Sequence, residues 1–276
     1  MNPSKVAIQG IQGSFHEMAA QQYFMHPIEI DECMTFPQLV QHVSDGIASF
    51  GLMAVENSVV GSILPNYALL REAKLFVTGE VYMRIIQNLM ALPGETVDSI
   101  REIRSHPMAL AQCSQFTNRL QNVKLVEVDD TALAAQQIAQ KGLHSTAAIG
   151  SKLAAIQYGL NIIAASIESN KENYTRFLVV EKKPQQLEGL NKASLCFSVD
   201  HQVGSLATTL KILAKNGIDL TMLQSLPMVG RSWEYYFHAD ITFTDYHRYR
   251  STLEQVRQRV NSLQLIGEYT QGKVVS

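Results

Sequence analysis

The sequence predicts an α/β protein built from two unequal domains, and three observations carry that prediction. Up to about residue 180, short apolar runs alternate with amphipathic stretches, which is typical of a largely parallel sheet covered by helices. Residues 181–191 are polar, carry Pro184 and Gly189, and resemble a linker. The elements that follow have the order βαββαβ of a ferredoxin-like domain. We therefore expect domains at residues 1–181 and 192–276.

In the first domain the hydrophobic pattern predicts eight strands and six helices. The strands are residues 5–9, 29–34, 51–55, 75–86, 124–128, 146–149, 161–165 and 176–180, and the helices are residues 14–25, 36–42, 64–71, 108–120, 131–140 and 152–158. Capping residues stand at the helix starts, namely Ser14, Thr35, Pro107, Asp130 or Thr131, and Ser151. Ligands of such folds bind beyond the strand ends where helices begin, so these starts bear on function.

In the second domain, strands are predicted at residues 193–199, 219–226, 234–243 and 263–269, and helices at residues 206–215 and 249–261. Asn216-Gly217 ends the first of these helices, because both residue types accept the left-handed conformation that follows a helix. A turn at residues 228–231 separates the two middle strands.

Composition excludes several classes of function. The 276 residues carry a formal net charge of −2, so no basic field favours nucleic acid. No apolar run reaches the ~20 residues that span a bilayer, and the N-terminus is too short and polar for a signal peptide. Three cysteines without paired spacing fit a reducing compartment. We expect a cytoplasmic protein with no nucleic-acid or membrane partner.

Familiar catalytic templates are missing from the sequence. It has no Gly-x-Ser-x-Gly elbow, no phosphate loop ending in Gly-Lys-Ser/Thr, and no His-Glu-x-x-His. The run Gly10-Ile11-Gln12-Gly13 is too short to indicate a nucleotide loop. The eight histidines are scattered, so no metal site is expected.

Three polar clusters stand beside apolar strands. They are Glu56-Asn57-Ser58 with Gly61 and Ser62, the run from His106 to Gln112, and Asn173-Tyr174-Thr175-Arg176-Phe177. An arginine within an apolar strand needs an anionic partner, because burying it unpaired is costly. For Arg176 this partner could be a nearby glutamate or a bound anion, and residue type alone leaves both open. Asn57 is equally open between a turn residue and a ligand contact.

These clusters resemble the prephenate dehydratase family. Segments 10–15, 55–62, 106–113, 130–135 and 173–177 occur there in the same order at similar spacing, with Asn-x-Thr-Arg-Phe and Glu-Asn-Ser the most specific. Ile11 and Ser14 stand where the family usually has proline and threonine. The resemblance implies a two-lobed fold like the periplasmic binding proteins, with the active site between the lobes. Residues from about 82 to 157 would form the inserted lobe.

The resemblance also implies the chemistry. Prephenate would lose carbon dioxide and hydroxide to give phenylpyruvate, in L-phenylalanine biosynthesis. Aromatisation drives this reaction, so no cofactor is implied. Thr175 would donate a hydrogen bond to the leaving oxygen, and Arg176 would bind a carboxylate. Carried over by position, the catalytic residues are Thr175, Arg176, Asn57 and Ser58, and the substrate contacts are Ser14, Glu56, Gln112, Asn173 and Phe177.

The second domain is similar to the ACT regulatory domains of this family. Gly204-Ser205-Leu206 matches the family's Gly-Ala-Leu apart from the serine, whereas Gln224-Ser225-Leu226-Pro227 replaces Glu-Ser-Arg-Pro. The implied effector is phenylalanine, bound by Gly204, Ser205, Leu206, Gln224 and Ser225, and the loss of the acid and the arginine predicts weaker inhibition. Such domains commonly pair, so a homodimer or homotetramer is expected.

Two alternatives stay open at this point. Arogenate dehydratase catalyses the same reaction on the aminated substrate, and one sequence does not separate the two activities. A non-catalytic ligand sensor with a bilobed cleft is the other alternative, and Thr175 argues against it, because binding alone does not need that hydroxyl.

Overall fold

The structure is a computed structural model that describes residues 3–184, 188–228, 230–231 and 233–273. Its strands are β1 Ser4–Gln9, β2 Ile28–Cys33, β3 Phe50–Asn57, β4 Gly61–Ser62, β5 Phe76–Arg84, β6 Asn88–Ala91, β7 Glu102–Ser105, β8 Lys124–Glu127, β9 Thr146–Gly150, β10 Asn161–Ala164, β11 Tyr174–Glu181, β12 Lys192–Ser198, β13 Asp219–Pro227, β14 Tyr235–Thr242 and β15 Ser262–Tyr269. Its helices are α1 Phe15–Phe24, α2 Phe36–Asp45, α3 Leu64–Ala73, α4 Pro107–Gln112, α5 Ser114–Thr117, α6 Thr131–Lys141, α7 Lys152–Tyr158, α8 Ser205–Lys215 and α9 Tyr246–Arg257. The predicted α/β class is confirmed.

The first lobe is built on strands in the order β2-β1-β3-β11-β5. β1 pairs in parallel with β2 and β3, but β11 runs antiparallel to both β3 and β5. The sheet is therefore mixed, and the prediction of a largely parallel sheet was wrong at its centre. The chain leaves this lobe at the end of β5 and re-enters it at the same end, where Tyr174 pairs with Arg84, so β11 runs back along β5.

The second lobe lies between β5 and β11 and contains a sheet in the order β10-β6-β9-β7-β8. It extends from Asn88 to Ala164, so it begins later than residue 82 and ends beyond residue 157. The sequence did not reveal β6 and β7, because each has four residues and β6 is buried throughout without alternation. The predicted helix 108–120 divides at Cys113, whose backbone leaves the helical region with ψ 11°.

Most of the predicted helix caps are present. Ser14 Oγ accepts a hydrogen bond from the Glu17 backbone at 3.3 Å, and the side chains of Thr35, Asp130 and Ser151 cap α2, α6 and α7 in the same way. The Glu17 carboxylate accepts from the Gly13 backbone at 2.6 Å instead of from Ser14. These caps fix the starts of α1 and α6 on the two sides of the space between the lobes.

The elements from β12 to β15, here called the C-terminal domain, have the predicted order βαββαβ. Their antiparallel sheet, in the order β13-β14-β12-β15, continues the first lobe's sheet where Gly267 of β15 pairs with Val77 of β5. A Cβ on Gly267 would lie 2.1 Å from the Val77 carbonyl oxygen, so the junction requires glycine. Residues 185–187 of the predicted linker and residue 229 of the predicted turn lie outside the described residues.

The hydrophobic core crosses the boundary between the first lobe and the C-terminal domain. Leu178 of β11 and Leu70 of α3 belong to the same buried cluster as Ile266 and Tyr269 of β15. Burial at this boundary ties β11 to the C-terminal domain through packing. None of the described helices is long and apolar enough to cross a membrane.

Candidate functional site

A cavity of about 300 Å³ lies between the two lobes. Its lining includes Ser14, Asn57, Thr175 and Phe177 from the first lobe, His106, Gln112, Asp129 and Asp130 from the second lobe, and Gln87 from the connection between them. The structure therefore brings together five residues predicted from the sequence: Ser14, Asn57, Gln112, Thr175 and Phe177.

Thr175 is held in a defined orientation at the cavity wall. Thr175 is only 8% exposed, and its Oγ1 accepts a hydrogen bond from Asn57 Nδ2 at 3.0 Å. The Asn57 amide cannot be reversed, because its Oδ1 accepts from the backbone N–H groups of Val59 and Val60, each at 3.0 Å. With one lone pair of Oγ1 occupied by Asn57, the hydroxyl proton of Thr175 is free to be donated into the cavity.

A chain of side-chain amides extends from Asn57 to the second lobe. Asn57 Nδ2 donates to Asn173 Oδ1 at 2.7 Å, and Asn173 Nδ2 donates to Gln112 Oε1 at 3.1 Å. Gln87 Nε2 donates to the same Gln112 oxygen at 3.5 Å. Asn173 is 1% exposed and lies behind the cavity wall, so it acts through its neighbours. The orientation of Thr175 is thereby linked to α4 of the second lobe.

Ser58 does not line the cavity, which corrects its predicted catalytic role. Its Oγ donates to the Glu172 carbonyl at 2.8 Å and accepts from the Tyr174 backbone at 2.9 Å. Both contacts join the end of β3 to the start of β11. Because its hydrogen is already donated to a carbonyl oxygen, Ser58 holds two chain segments together.

Arg176 also lies away from the cavity, contrary to the prediction that it faces the cleft. Successive residues of a strand point to opposite faces, so Thr175 and Phe177 face the cavity while Arg176 faces the C-terminal domain. Arg176 is 3% exposed, and its Nε donates to Glu80 at 2.7 Å. Its Nη1 pairs with Asp240, and its Nη2 donates to the Tyr269 hydroxyl at 3.0 Å.

The buried part of the Arg176 cluster contains a second cation, Lys192. Lys192 Nζ lies 2.9 Å from both Glu80 oxygens, so two cations face the two carboxylates of Glu80 and Asp240. Glu56, predicted to contact substrate, lies 4.0 Å from Arg176 and outside the cavity lining. Of the alternatives open for Arg176, the structural ion pair agrees with this geometry.

The structure adds lining residues that the sequence did not single out. His16 packs edge-on against Phe177, with ring centroids 5.1 Å apart, and burial lowers its pKa to about 4, so its ring is neutral near pH 7. Gln87 is 3% exposed and stands between β5 and β6. Neither residue belongs to a recognisable motif, so only the meeting of the chain segments in space reveals them.

The charged side chains that line the cavity are acidic, which is unusual for a site that would hold an anion. Among the described residues that line it there is no lysine or arginine, whereas Asp129 and Asp130 both face it. Burial raises the pKa of Asp130, and the hydrogen bond from the Leu133 backbone opposes that shift. His106 Nδ1 accepts a hydrogen bond from the Met108 backbone at 3.2 Å, which leaves Nε2–H as the donor of the ring.

Among the described residues, one group of side chains of metal-ligand type occurs outside the cavity. The ligand atoms of Asp31, Cys33 and His42 lie within 4.8 Å of one another. His42 is hydrogen-bonded to Asp31 at 2.6 Å, and Lys5 lies 3.4 Å from the same carboxylate. The Asp31 carboxylate is therefore already engaged by two protein side chains.

The predicted effector residues occupy two places in the C-terminal domain. Gly204 caps α8 with φ 87°, and Ser205 and Leu206 line a separate cavity with Phe237. Gln224 and Ser225 lie on β13 and do not line that cavity, and Gln224 Nε2 donates to Ser62 Oγ of the first lobe at 3.0 Å. Within one chain the two runs are therefore separate.

Comparison with known proteins decides the family. The family model for prephenate dehydratase matches residues 6–185. The chain belongs to the prephenate dehydratase family. It is 34% identical over 272 residues to the bifunctional chorismate mutase/prephenate dehydratase of Neisseria gonorrhoeae, covering 97% of this chain and 74% of that protein. It is 37% identical over 227 residues to arogenate dehydratase/prephenate dehydratase 2 of Arabidopsis thaliana, covering 81% of this chain and 59% of that protein.

Two solved structures share the fold of this chain. Prephenate dehydratase from Arthrobacter aurescens in complex with L-Phe superposes with a TM-score of 0.86 at 25% identity, covering 98% of this chain and 90% of that one. GqqA, described as a novel type of quorum-quenching acylase, superposes with a TM-score of 0.88 at 30% identity, covering 97% and 98% of the two chains. The predicted two-lobed fold is confirmed by these likenesses.

Proposed function

We propose that this protein is a prephenate dehydratase, which converts prephenate into phenylpyruvate, carbon dioxide and hydroxide. The bond between the ring and its carboxylate breaks, and its electron pair enters the ring. The carbon–oxygen bond at the opposite ring position breaks with its pair on the leaving oxygen. The observation that carries the proposal is Thr175 Oγ1, which accepts from Asn57 in a cavity of a chain that belongs to this family.

Thr175 acts in this proposal as a hydrogen-bond donor to the departing oxygen. Threonine is too weak an acid to transfer its proton outright, so its contribution is electrostatic and grows as negative charge develops on that oxygen. Asn57 keeps the Thr175 oxygen occupied as an acceptor, so the only hydrogen of the hydroxyl remains for the substrate. Asn173 and Gln112 hold Asn57 in place from behind.

The carboxylates of the substrate are bound without a basic side chain in the described cavity lining. Ser14, Phe15 and His16 bring the start of α1 to the cavity, where the first backbone N–H groups of a helix lack intrahelical partners. His106 offers Nε2–H from the other lobe. Such neutral donors suit decarboxylation, because a strong cation would hold the ring carboxylate in its charged form.

Arogenate is a second candidate substrate, and the charge of the cavity favours it. Asp129 and Asp130 face the cavity, and the ammonium group of arogenate would find an anionic partner there. The uncharged ketone of prephenate would not form an ion pair with these carboxylates. The relative from Arabidopsis thaliana is described with both activities. Turnover of the two substrates side by side, measured as kcat/KM, decides which one this chain prefers.

The description of GqqA as an acylase raises a third activity that can be tested on this protein. An acylase needs a nucleophile or an activated water, and no described hydrogen bond joins Thr175 or Ser14 to a histidine. Incubation with prephenate, with arogenate and with an N-acylated quorum signal tests all three activities on one preparation. Release of phenylpyruvate or phenylalanine, absent in Thr175→Ala, supports the proposal. Release of the free acid alone, or binding without turnover of any of the three, would reject it.

The C-terminal domain is proposed to be an ACT regulatory domain that binds phenylalanine. Its βαββαβ order, the left-handed Gly204 before α8, and a relative solved with L-Phe support this assignment. Because the two effector runs are separate within one chain, the effector would bind between paired domains of a homodimer or homotetramer. Calorimetry with phenylalanine, and the same titration on Gly204→Val, test it. No heat in the parent protein at millimolar concentration would leave only a structural domain.

The proposal also includes a cytoplasmic location. Cys33, Cys113 and Cys196 are all free and buried, which suits a reducing compartment.

A further inference from the structure

The connection from β5 to β6 places a buried amide at the cavity wall. Gln87 is 3% exposed and lines the cavity, and its backbone N–H is fixed by Glu168 at 2.9 Å. Its side-chain Nε2 donates to Gln112, but its Oε1 is buried and has no hydrogen-bond partner among the described residues. An unpartnered buried carbonyl oxygen is uncommon in proteins and costs free energy, so a partner absent from the free protein is expected.

The direction of the Gln87 amide follows from the chain of amides that begins at Asn57. The backbone of Val59 and Val60 fixes Asn57, Asn57 fixes Asn173, and Asn173 fixes the Gln112 oxygen as an acceptor. Only the nitrogen of Gln87 can face that oxygen, so the Gln87 oxygen is turned away from Gln112. A ligand in the cavity that satisfies it must therefore be a hydrogen-bond donor.

We propose that Gln87 is a substrate-binding residue whose side-chain oxygen accepts a hydrogen bond from the leaving hydroxyl group of the substrate. This inference rests on the proposed function. Both carboxylates of prephenate are ionised at pH 7 and only accept, so its hydroxyl is the one donor that it offers. Thr175 donates to the oxygen of this hydroxyl, and Gln87 accepts its hydrogen. The pair recognises a hydroxyl and keeps it oriented as the carbon–oxygen bond breaks.

The amide chain makes this arrangement responsive to both lobes. Thr175 is hydrogen-bonded to Asn57 of the first lobe, and Gln87 is hydrogen-bonded to Gln112 of the second lobe. The two ends of the chain come to the same cavity because Asn173 joins them. A change in the position of α4 would therefore alter both contacts to the leaving group together.

The test compares Gln87→Met with the parent enzyme on substrate turnover and on binding of phenylpyruvate, the product that lacks the hydroxyl. Losing one hydrogen bond should lower kcat/KM about 10-fold, while the affinity for phenylpyruvate should stay within about twofold. Gln41→Met, on the exposed side of α2, is the matched control and should change neither quantity. Gln87→Asn is the second variant, for use if Gln87→Met does not fold. It keeps an amide but places it too far back to reach the hydroxyl, so kcat/KM should fall while the affinity for phenylpyruvate is kept.

Two results would overturn the inference. One is unchanged turnover in both variants. The other is an equal loss of turnover and of phenylpyruvate affinity, which is what a purely structural support of Gln112 would produce. Failure of the proposed function is distinct from both, because it would appear in the parent protein as no turnover of either prephenate or arogenate.

Discussion

Replacing Arg176 should damage stability more than substrate binding. Arg176→Met leaves the buried carboxylates of Glu80 and Asp240 with Lys192 as their remaining described cation. Removing one partner of a buried ion pair typically costs about 3–5 kcal/mol, because a desolvated charge is left uncompensated. This is a large part of the roughly 5–15 kcal/mol by which domains are stable. For a chain of this size, each kcal/mol moves Tm by about 2–4 °C, so a fall of roughly 6–20 °C is expected.

Thermal unfolding followed by circular dichroism measures the change, and steady-state kinetics well below the new Tm measure function. KM should stay within about twofold of the parent value, because the Arg176 side chain does not reach the cavity. Arg176→Lys should lie between the two proteins in stability. It keeps the charge, but one ammonium cannot reproduce the three directed contacts of the guanidinium.

The control is Arg257→Met on α9, where an exposed arginine lies 3.7 Å from Glu254. Exposed pairs contribute about 0–1 kcal/mol, so Tm should change little. The reasoning would be refuted if Arg176→Met kept its Tm but raised KM about 10-fold or more, since that combination describes a substrate ligand.

Three further changes test the site and the core. Thr175→Ala should slow turnover at least ~100-fold without lowering Tm. Thr175→Ser should recover part of the lost turnover, because only the hydroxyl is needed. Turnover of Thr175→Ala close to the parent's would remove Thr175 from the mechanism. Asn57→Asp replaces the donor to Asn173 and Thr175 with a carboxylate and should be nearly as slow, and an active variant would show that Thr175 needs no fixed orientation. Burial, and to a smaller extent the nearby Arg71 cation, lowers the pKa of His238 from 6.5 to about 4. The contribution of the neutral His238 ring to folding stability is therefore complete above pH 6.5 and is lost as the pH falls toward 4. Unfolding at several pH values should therefore show a shallower acid loss in His238→Gln, and an identical slope would contradict it.

Much of the fold could be predicted because local pattern and tertiary structure agree. Amphipathic periodicity and capping residues such as Ser14 and Ser151 mark helices in any environment. The direction of β11 could not be predicted, because strand direction depends on where the chain re-enters the first lobe. The strand β6 could not be predicted either, because its four residues are all buried and show no alternation that identifies a strand.

The site was predictable where motif residues lie on the cavity face, as Asn57 and Thr175 do. It was not predictable where the deciding fact is a contact made far along the chain. Gln87 is a polar residue in an undistinguished loop until Gln112 meets it, 25 residues later. Ser58 stands beside Asn57 in sequence, yet its hydrogen is donated to the carbonyl of Glu172. Sequence adjacency therefore gave too much weight to Ser58 and none to Gln87.

The strand β11 explains why one short motif joins two roles. Alternation along the strand turns Thr175 and Phe177 toward the cavity and Arg176 toward the C-terminal domain. A shift of one residue in pairing would reverse both faces, placing the cation in the cavity and the hydroxyl in the ion cluster. The buried ion pairs of Arg176 with Glu80 and Asp240 oppose that shift, because it would separate charges that have no water to stabilise them. Arg176 thus fixes the register that presents Thr175 to the substrate, although it makes no contact with the cavity itself.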